Sequence, residues 1–279
     1  MAGFKMEKNL SNWVKYIGSQ TVPVFNNTIQ SVIKLTSDEK STCKQLAEII
    51  LQDASLTSKV IRVANSPYYN RHNKSQNDIR RIILLIGFKK IAEICLTLSI
   101  LDSLTDKRTQ KIIYKVISKS FHAAIQARSI AEIYKIRNPD KIYLAALLSN
   151  IGEISFWSLS GRAGRLISDI LNNGYVSEEQ AQEKILGTTF RKLSLGLATE
   201  WQFSELLKRS LSNPTSCDYE VKCIQYGYEI AEAIVNKNAD FNSTAEKIAK
   251  ETNHSIADIK AIVCDNILLA HDTYDYYVD

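Results

Sequence analysis

Apolar residues recur at helical spacing along almost the whole chain, the arrangement that turns one stripe of each helix toward a core. The ends of these stripes carry helix-end chemistry. Thr42 with Gln45 reads as a capping box ahead of Leu46, Ile49 and Ile50, the hydroxyl and the amide each satisfying an orphan backbone group. Asp53 is placed to cap the next helix, which buries Leu56, Val60, Ile61 and Val63 and must end near Asn65, because Ser66-Pro67 cannot continue it. Tyr68 to Asn77 reads as a polar loop. Asp78 then opens a short apolar helix that Gly87 is expected to stop in a left-handed cap, and a second helix follows from Phe88 to about Leu104. From Thr109 to about Arg137, the positions Ile112, Ile113, Val116, Ile117, Phe121, Ala124, Ile125 and Ile130 predict one long helix, ended by Asn138-Pro139-Asp140. Pro139 suits the first turn of the next helix, expected to run to about Ser160. Ser177 with Gln180 and Ser243 with Glu246 predict two more capping boxes, and Gly174 and Gly187 fall where helix ends are expected. No alternating strand, internal repeat or low-complexity linker is visible. The expected fold is all-α, a multi-helix bundle without a significant sheet.

Composition narrows the class. The 279 residues include 10 Gly and 4 Pro, which leaves room for long helices and little for the many turns of a sandwich or barrel. At 45% hydrophobic and 23% charged the chain is that of a folded protein. The first ten residues carry Lys5, Glu7 and Lys8 without an apolar stretch behind them, so a signal peptide is not expected and the cytosol is. Apolar runs such as Ile82–Ile86 and Tyr143–Leu148 fall short of the ~20 residues that span a bilayer, so no membrane insertion is expected. Five widely spaced cysteines, with no C-x-x-C pair, read as reduced, buried thiols. A net charge of +5 is too small and too dispersed to point to a nucleic acid.

Candidate chemistry is sparse. No G-x-x-x-x-G-K-[ST], G-x-G-x-x-G or G-x-S-x-G string occurs. The four histidines, His72, His122, His254 and His271, have no second His or Cys at i±3 or i±4, the spacing that brings two ligands to one helix face.

The strings Leu46-Ala47-Glu48-Ile49-Ile50, Gln52-Asp53-Ala54-Ser55-Leu56-Thr57, Val63-Ala64-Asn65-Ser66-Pro67-Tyr68-Tyr69 and Ile79 to Gly87 before Phe88-Lys89-Lys90-Ile91 resemble the HDOD domain, the HD-related output domain of bacterial signalling proteins. The resemblance runs from about Val22 to Pro214. It implies one HDOD domain over 15–214, an N-terminal helical layer followed from about 106 by a half related to HD-superfamily phosphohydrolases, with a helical tail over 215–279 packed on it. In those enzymes a His, a later His-Asp pair and a downstream Asp gather divalent metal. His122 in Ser120-Phe121-His122-Ala123-Ala124 matches the first, but Ser149-Asn150 stands where the pair belongs. A hydroxyl replaces an imidazole, and an amide keeps the shape of Asp without its charge. Further on, Phe190 and the segment Arg209-Ser210-Leu211-Ser212-Asn213 occupy places where relatives carry histidines. His122, Ser149 and Asn150 are therefore vestigial, and neither a metal, another cofactor nor catalysis is expected.

One basic and aromatic group remains. Arg62, Asn65, Ser66, Tyr68, Tyr69, Arg71, Arg80 and Arg81 frame the Ala-Asn-Ser-Pro-Tyr-Tyr turn and could pair with an acidic partner surface, a phosphate or a nucleotide. Against this stands a plain solvated face with the tyrosines on the core, the usual fate of helical charge clusters. A second cluster, Lys107, Arg108, Lys111, Lys115 and Lys119, also reads as solvation, and Trp13, Trp157 and Trp201 as core or interface anchors. The expected work is non-catalytic regulation through a signalling protein partner or a small ligand, with oligomerisation left open. The alternatives are a metal-dependent nucleotide phosphohydrolase and a nucleic-acid-binding regulator.

Overall fold

The computed structural model describes residues 9–19, 27–37, 40–65, 69–70, 76–102, 107–172, 174, 176–235 and 240–278. Among them the chain forms helices and no strand. The order is α1 (Leu10–Ser19), α2 (Asn27–Ser37), α3 (Cys43–Leu51), α4 (Ala54–Ala64), α5 (Ile79–Ile86) and α6 (Phe88–Asp102). There follow α7 (Lys107–Ile133), α8 (Pro139–Leu148), α9 (Ile151–Leu159), α10 (Gly161–Asn172) and α11 (Glu178–Leu186). The rest are α12 (Phe190–Glu200), α13 (Glu205–Ser212), α14 (Tyr219–Val235), α15 (Asn242–Thr252) and α16 (Ile256–Val278).

Local capping explains many boundaries. Thr42 and Gln45 close the capping box of α3, Asp53 accepts from the Leu56 N–H, Asp78 accepts from the Arg80 and Arg81 N–H groups, and Ser177 with Gln180 caps α11. Pro139 opens α8 and Gly187 ends α11 in the left-handed region. Other boundaries differ from the sequence reading. Gly87 has φ 101° but ψ 143°, so it turns the chain through a positive φ without forming a left-handed helical cap. The Ser243–Glu246 box does not form: α15 begins at Asn242 behind Phe241, where the Asp240 carboxylate accepts from the Asn242 N–H. The long helix α7 stops at Ile133, four residues early, because Lys135 adopts φ 56° and the Ile136 and Lys135 N–H groups turn back to the Ala131 and Glu132 carbonyls. Gln202 and Asn253 make the same left-handed exit with side chains in place of glycine.

The helix expected from Pro139 to Ser160 is two helices, broken at Ser149-Asn150. Over Pro139–Leu159 the pair is apolar and long enough to cross a bilayer by composition, contrary to the run-by-run reading, and 67% of the stretch is buried within the fold.

The helices α2 to α6 pack on one another as an N-terminal layer, and α7, α8 and α14 form the centre of the second half. The first helix belongs with that second half. It lies on α12 and α9, with Trp13 edge-to-face on Phe156 at 5.4 Å and its indole N–H donated to the Leu186 carbonyl. Beyond Ser212 the chain turns into α14, which meets α7 so closely that a Cβ on Gly227 would lie 2.4 Å from the Ala123 carbonyl oxygen. Buried amides then fasten α16 to α7: Gln126 donates to the Val263 carbonyl, Asn266 donates to Gln126, and Ser129 donates to Asn266. Of the five free cysteines, Cys95 and Cys223 are buried as expected, whereas Cys217 and Cys264 are exposed.

Candidate functional site

The break between α8 and α9 creates the chain's most chemically distinctive spot. Ser149 ends α8 and donates its hydroxyl to the Ala145 carbonyl, 2.7 Å away. Asn150 opens α9 and donates its amide to the Ser120 hydroxyl of α7 at 3.1 Å. Ser120 in turn donates to the Val116 carbonyl. From α14, the Tyr228 hydroxyl donates to the Ala146 carbonyl at 2.8 Å and approaches Ser120 at 3.4 Å. Burial pushes that phenol above its usual range. Next to the break, the Gly152 N–H is taken by the Ser194 hydroxyl of α12, and a side chain here would drive its Cβ to 2.4 Å from the Ser194 backbone nitrogen. The backbone of the first turn of α9 therefore touches α12 directly at residue 152.

A cavity of about 420 Å³ opens at this point, with Ser149, Asn150, Ser210, Tyr228 and Arg191 among its polar walls and Leu211, Val221 and Ile224 among its apolar ones. Lys119 and Glu232, ion-paired to each other, also line it, as does Glu229. Close by is Glu153 of α9, which accepts from the Trp157 indole N–H; burial, and then the Glu178 carboxylate, push its carboxyl up to about 7.

Ser149, Asn150 and Ser210 line the cavity, while His122 is buried on α7 and is not among the lining residues. Phe190 packs in the aromatic core, its ring centroid 5.2 Å from Phe156 and 6.1 Å from Trp157. Among the described residues no three His, Cys, Asp or Glu side chains gather into a group that could hold a metal. The donor set does not fit the divalent ion implied by the HD resemblance: Ser149 and Asn150, both already hydrogen-bonded to protein, offer a dication no charge, and the cavity's carboxylates, Glu229 and Glu232, are paired with Lys247 and Lys119.

The turn singled out by sequence separates into two kinds of residue. Asn65 is structural: its amide donates to the Ile61 and Gln76 carbonyls, and its carbonyl oxygen accepts from the Gln76 N–H at 2.8 Å. Tyr69 is partly buried against the core. Arg62, Arg80 and Arg81 are exposed. Ser66, Tyr68 and Arg71 lie outside the described residues. The lysine cluster of α7 is divided too, with Lys111 and Lys115 exposed and Lys119 paired to Glu232. Sequence reasoning missed Tyr228 and Glu153, which lie far along the chain from Ser120 or Ser149 or look like ordinary helix positions.

Residues 22–215 match the HDOD domain family. The chain belongs to the HDOD family. Solved structures agree on the fold. One is a protein of Shewanella amazonensis provisionally named a phosphohydrolase, 14% identical, with a TM-score of 0.71 over 98% of this chain and 100% of that one. A second is an HDOD domain protein of unknown function from Geobacter sulfurreducens, 19% identical, with a TM-score of 0.64 over 92% and 97%. A third, from Marinobacter aquaeolei, is provisionally named a signal transduction protein; at 14% identity it has a TM-score of 0.69 over 100% of this HDOD chain and 63% of that one. At these identities the likeness establishes the helical fold alone. No curated protein matches. For this HDOD chain the all-helical architecture and the HDOD resemblance read from its sequence both stand.

Proposed function

We propose that this HDOD protein is a non-catalytic signalling module of the cytosol that acts by binding. One observation carries the reading: Ser149 and Asn150 sit where an HD phosphohydrolase needs its metal-binding pair, and both side chains are committed to the Ala145 carbonyl and the Ser120 hydroxyl. Elemental analysis of the purified protein, with hydrolysis assays on nucleotides and cyclic dinucleotides, tests it. The expected result is no stoichiometric Mn, Fe, Mg or Zn and no turnover. A tightly held metal together with turnover that His122→Ala abolishes would overturn it. The double variant Ser149→His, Asn150→Asp is expected to restore neither, because Phe190 is locked in an aromatic cluster and Ser210 donates to the Leu207 carbonyl.

The cavity supports a second mode of the same role, the sensing of a small polar molecule. Its volume falls in the range of ligand pockets, and its walls combine apolar side chains with hydroxyl and amide groups and with the charged side chains of Lys119, Arg191, Glu229 and Glu232. Ile224→Trp, which fills the cavity from its apolar wall, should remove any thermal stabilisation that a panel of such molecules produces. Stabilisation that survives the substitution places the ligand elsewhere.

A further inference from the structure

The helix α5 has an outward face unlike the rest of the described surface. Ile79, Ile82 and Ile83 point into the core, which leaves Arg80, Arg81, Leu84 and Leu85 together on the opposite side. Leu84 is 74% exposed and Leu85 64%. Single exposed leucines are ordinary, but two neighbours on one helical face leave apolar area that nothing among the described residues covers. The helix α3 packs beside α5 and ends on Leu51, itself 54% exposed. On the next turn of the α5 face, Arg80 and Arg81 are exposed and form no ion pair among the described residues. Asp78, the nearest carboxylate in sequence, is committed to their backbone N–H groups as the helix cap.

We infer that this face docks an amphipathic, acidic helix of a partner protein, its leucine-type side chains on Leu84 and Leu85 and its carboxylates on Arg80 and Arg81. The inference rests on the reading of the chain as a binding module and names the chemistry of what it binds. Three considerations select the occupant. The described residues contain no strand, so they offer no sheet edge to an extended peptide, and an apolar stripe on a helix face flanked by charge suits an amphipathic helix laid against it. The arginines present planar, multiply donating groups that suit carboxylates, and beside desolvated leucines they supply orientation and partner choice as well as attraction. A second copy is disfavoured, because it would bring two arginine pairs together in a chain that already carries a net charge of +5.

The test uses the full chain in metal-free buffer and two labelled helical peptides of about 18 residues, long enough to hold helix on binding. Both carry Leu at i, i+3, i+4 and i+7; one has Glu and the other Lys at the flanking positions. Fluorescence anisotropy should show saturable binding of the Glu peptide, weakened at least about tenfold by Leu84→Ala with Leu85→Ala. Arg80→Glu with Arg81→Glu should lose the Glu peptide and gain the Lys peptide. All four side chains are exposed, so the melting temperature should hold. If the leucine pair lowers it, the charge-reversal pair reads the same contact. Absence of Glu-peptide binding, or binding indifferent to both pairs of substitutions, overturns the proposal. So does recruitment to phosphatidylglycerol vesicles without peptide binding, or a dimer that the leucine substitutions dissolve. Nucleotide turnover, measured separately, would overturn the non-catalytic reading and leave the peptide result standing.

Discussion

Two polar clusters touch the helix α7, and they handle charge in opposite ways. Near its middle, Ser120 meets Asn150 and Tyr228 in a network of hydroxyls and amides with no ionised member. Further along, Arg128 reaches the buried Glu93 of α6 with one guanidinium N–H at 3.1–3.2 Å from both carboxylate oxygens, Lys90 adds a second ion pair at 3.2 Å, and both cations lie over the Tyr143 ring of α8. Burial pushes the Glu93 carboxyl up and the Lys90 ammonium down from their usual values, and their mutual attraction opposes both shifts. Ionised groups therefore persist at the seam between the N-terminal layer and the second half, where partners are complete and the geometry is fixed. At the break between α8 and α9 the Ser149 and Asn150 side chains carry no charge, and the carboxylates that line the cavity, Glu229 and Glu232, are paired with Lys247 and Lys119. The Glu93 cluster joins α6 to α7 through buried charge, whereas Ser120, Asn150 and Tyr228 meet through neutral groups alone.

The sharpest way to break this contrast is at Glu93. Glu93→Ala strands two cations on Tyr143 and should cost about 3–5 kcal/mol in urea denaturation. Replacing all three charged groups with apolar ones (Lys90→Met, Glu93→Leu, Arg128→Met) should recover most of it; a triple variant as unstable as the single one would mean that the charges themselves hold the seam.

Glu153 comes next. Its folded-state value of about 7 lies above the ordinary 4.5, so its contribution is complete below about pH 4.5 and is lost as pH rises through about 7. Glu153→Gln keeps an oxygen for the Trp157 indole and should raise stability by roughly 1–3 kcal/mol at pH 8 while changing little at pH 4.5. A difference that does not vary with pH would refute the shift.

Smaller still is Asn150→Ala, which removes one neutral hydrogen bond to Ser120 and should cost about 1 kcal/mol. A loss several times larger would show that the network does more than pack. The smallest expected effect is that of metal. Excess Mn²⁺ or Zn²⁺ should move the melting temperature by less than about 1 °C, since an ion without a site cannot shift the folding equilibrium. Stabilisation that grows with metal concentration and disappears in His122→Ala would restore the site.

Much of the fold was legible because helix ends are local. Thr42, Asp53, Asp78, Ser177 and Pro139 act on backbone groups within a turn of themselves, and the apolar stripes between them name most of the core. The left-handed exits at Lys135, Gln202 and Asn253 were not legible, because nothing in those side chains demands a positive φ. Packing of the following segment imposes it. The candidate site was half legible: Ser149 and Asn150 stand out in the sequence and line the cavity, while Asn65, read as part of a binding turn, spends its side chain on the Ile61 and Gln76 backbone.

Residue order along the chain was enough to set most of the helices and many of their caps, since each depends on neighbours within a few positions. Only the tertiary structure could place α1 on α12, seat Gly227 against Ala123 and Gly152 against Ser194, and bring Tyr228 to Ser120. It also decided which face of α5 was left uncovered, with Leu84 and Leu85 in water. Those outcomes turn on close contacts between segments distant in sequence, where a single Cβ decides whether two backbones can meet, and no periodicity within one segment encodes its partner.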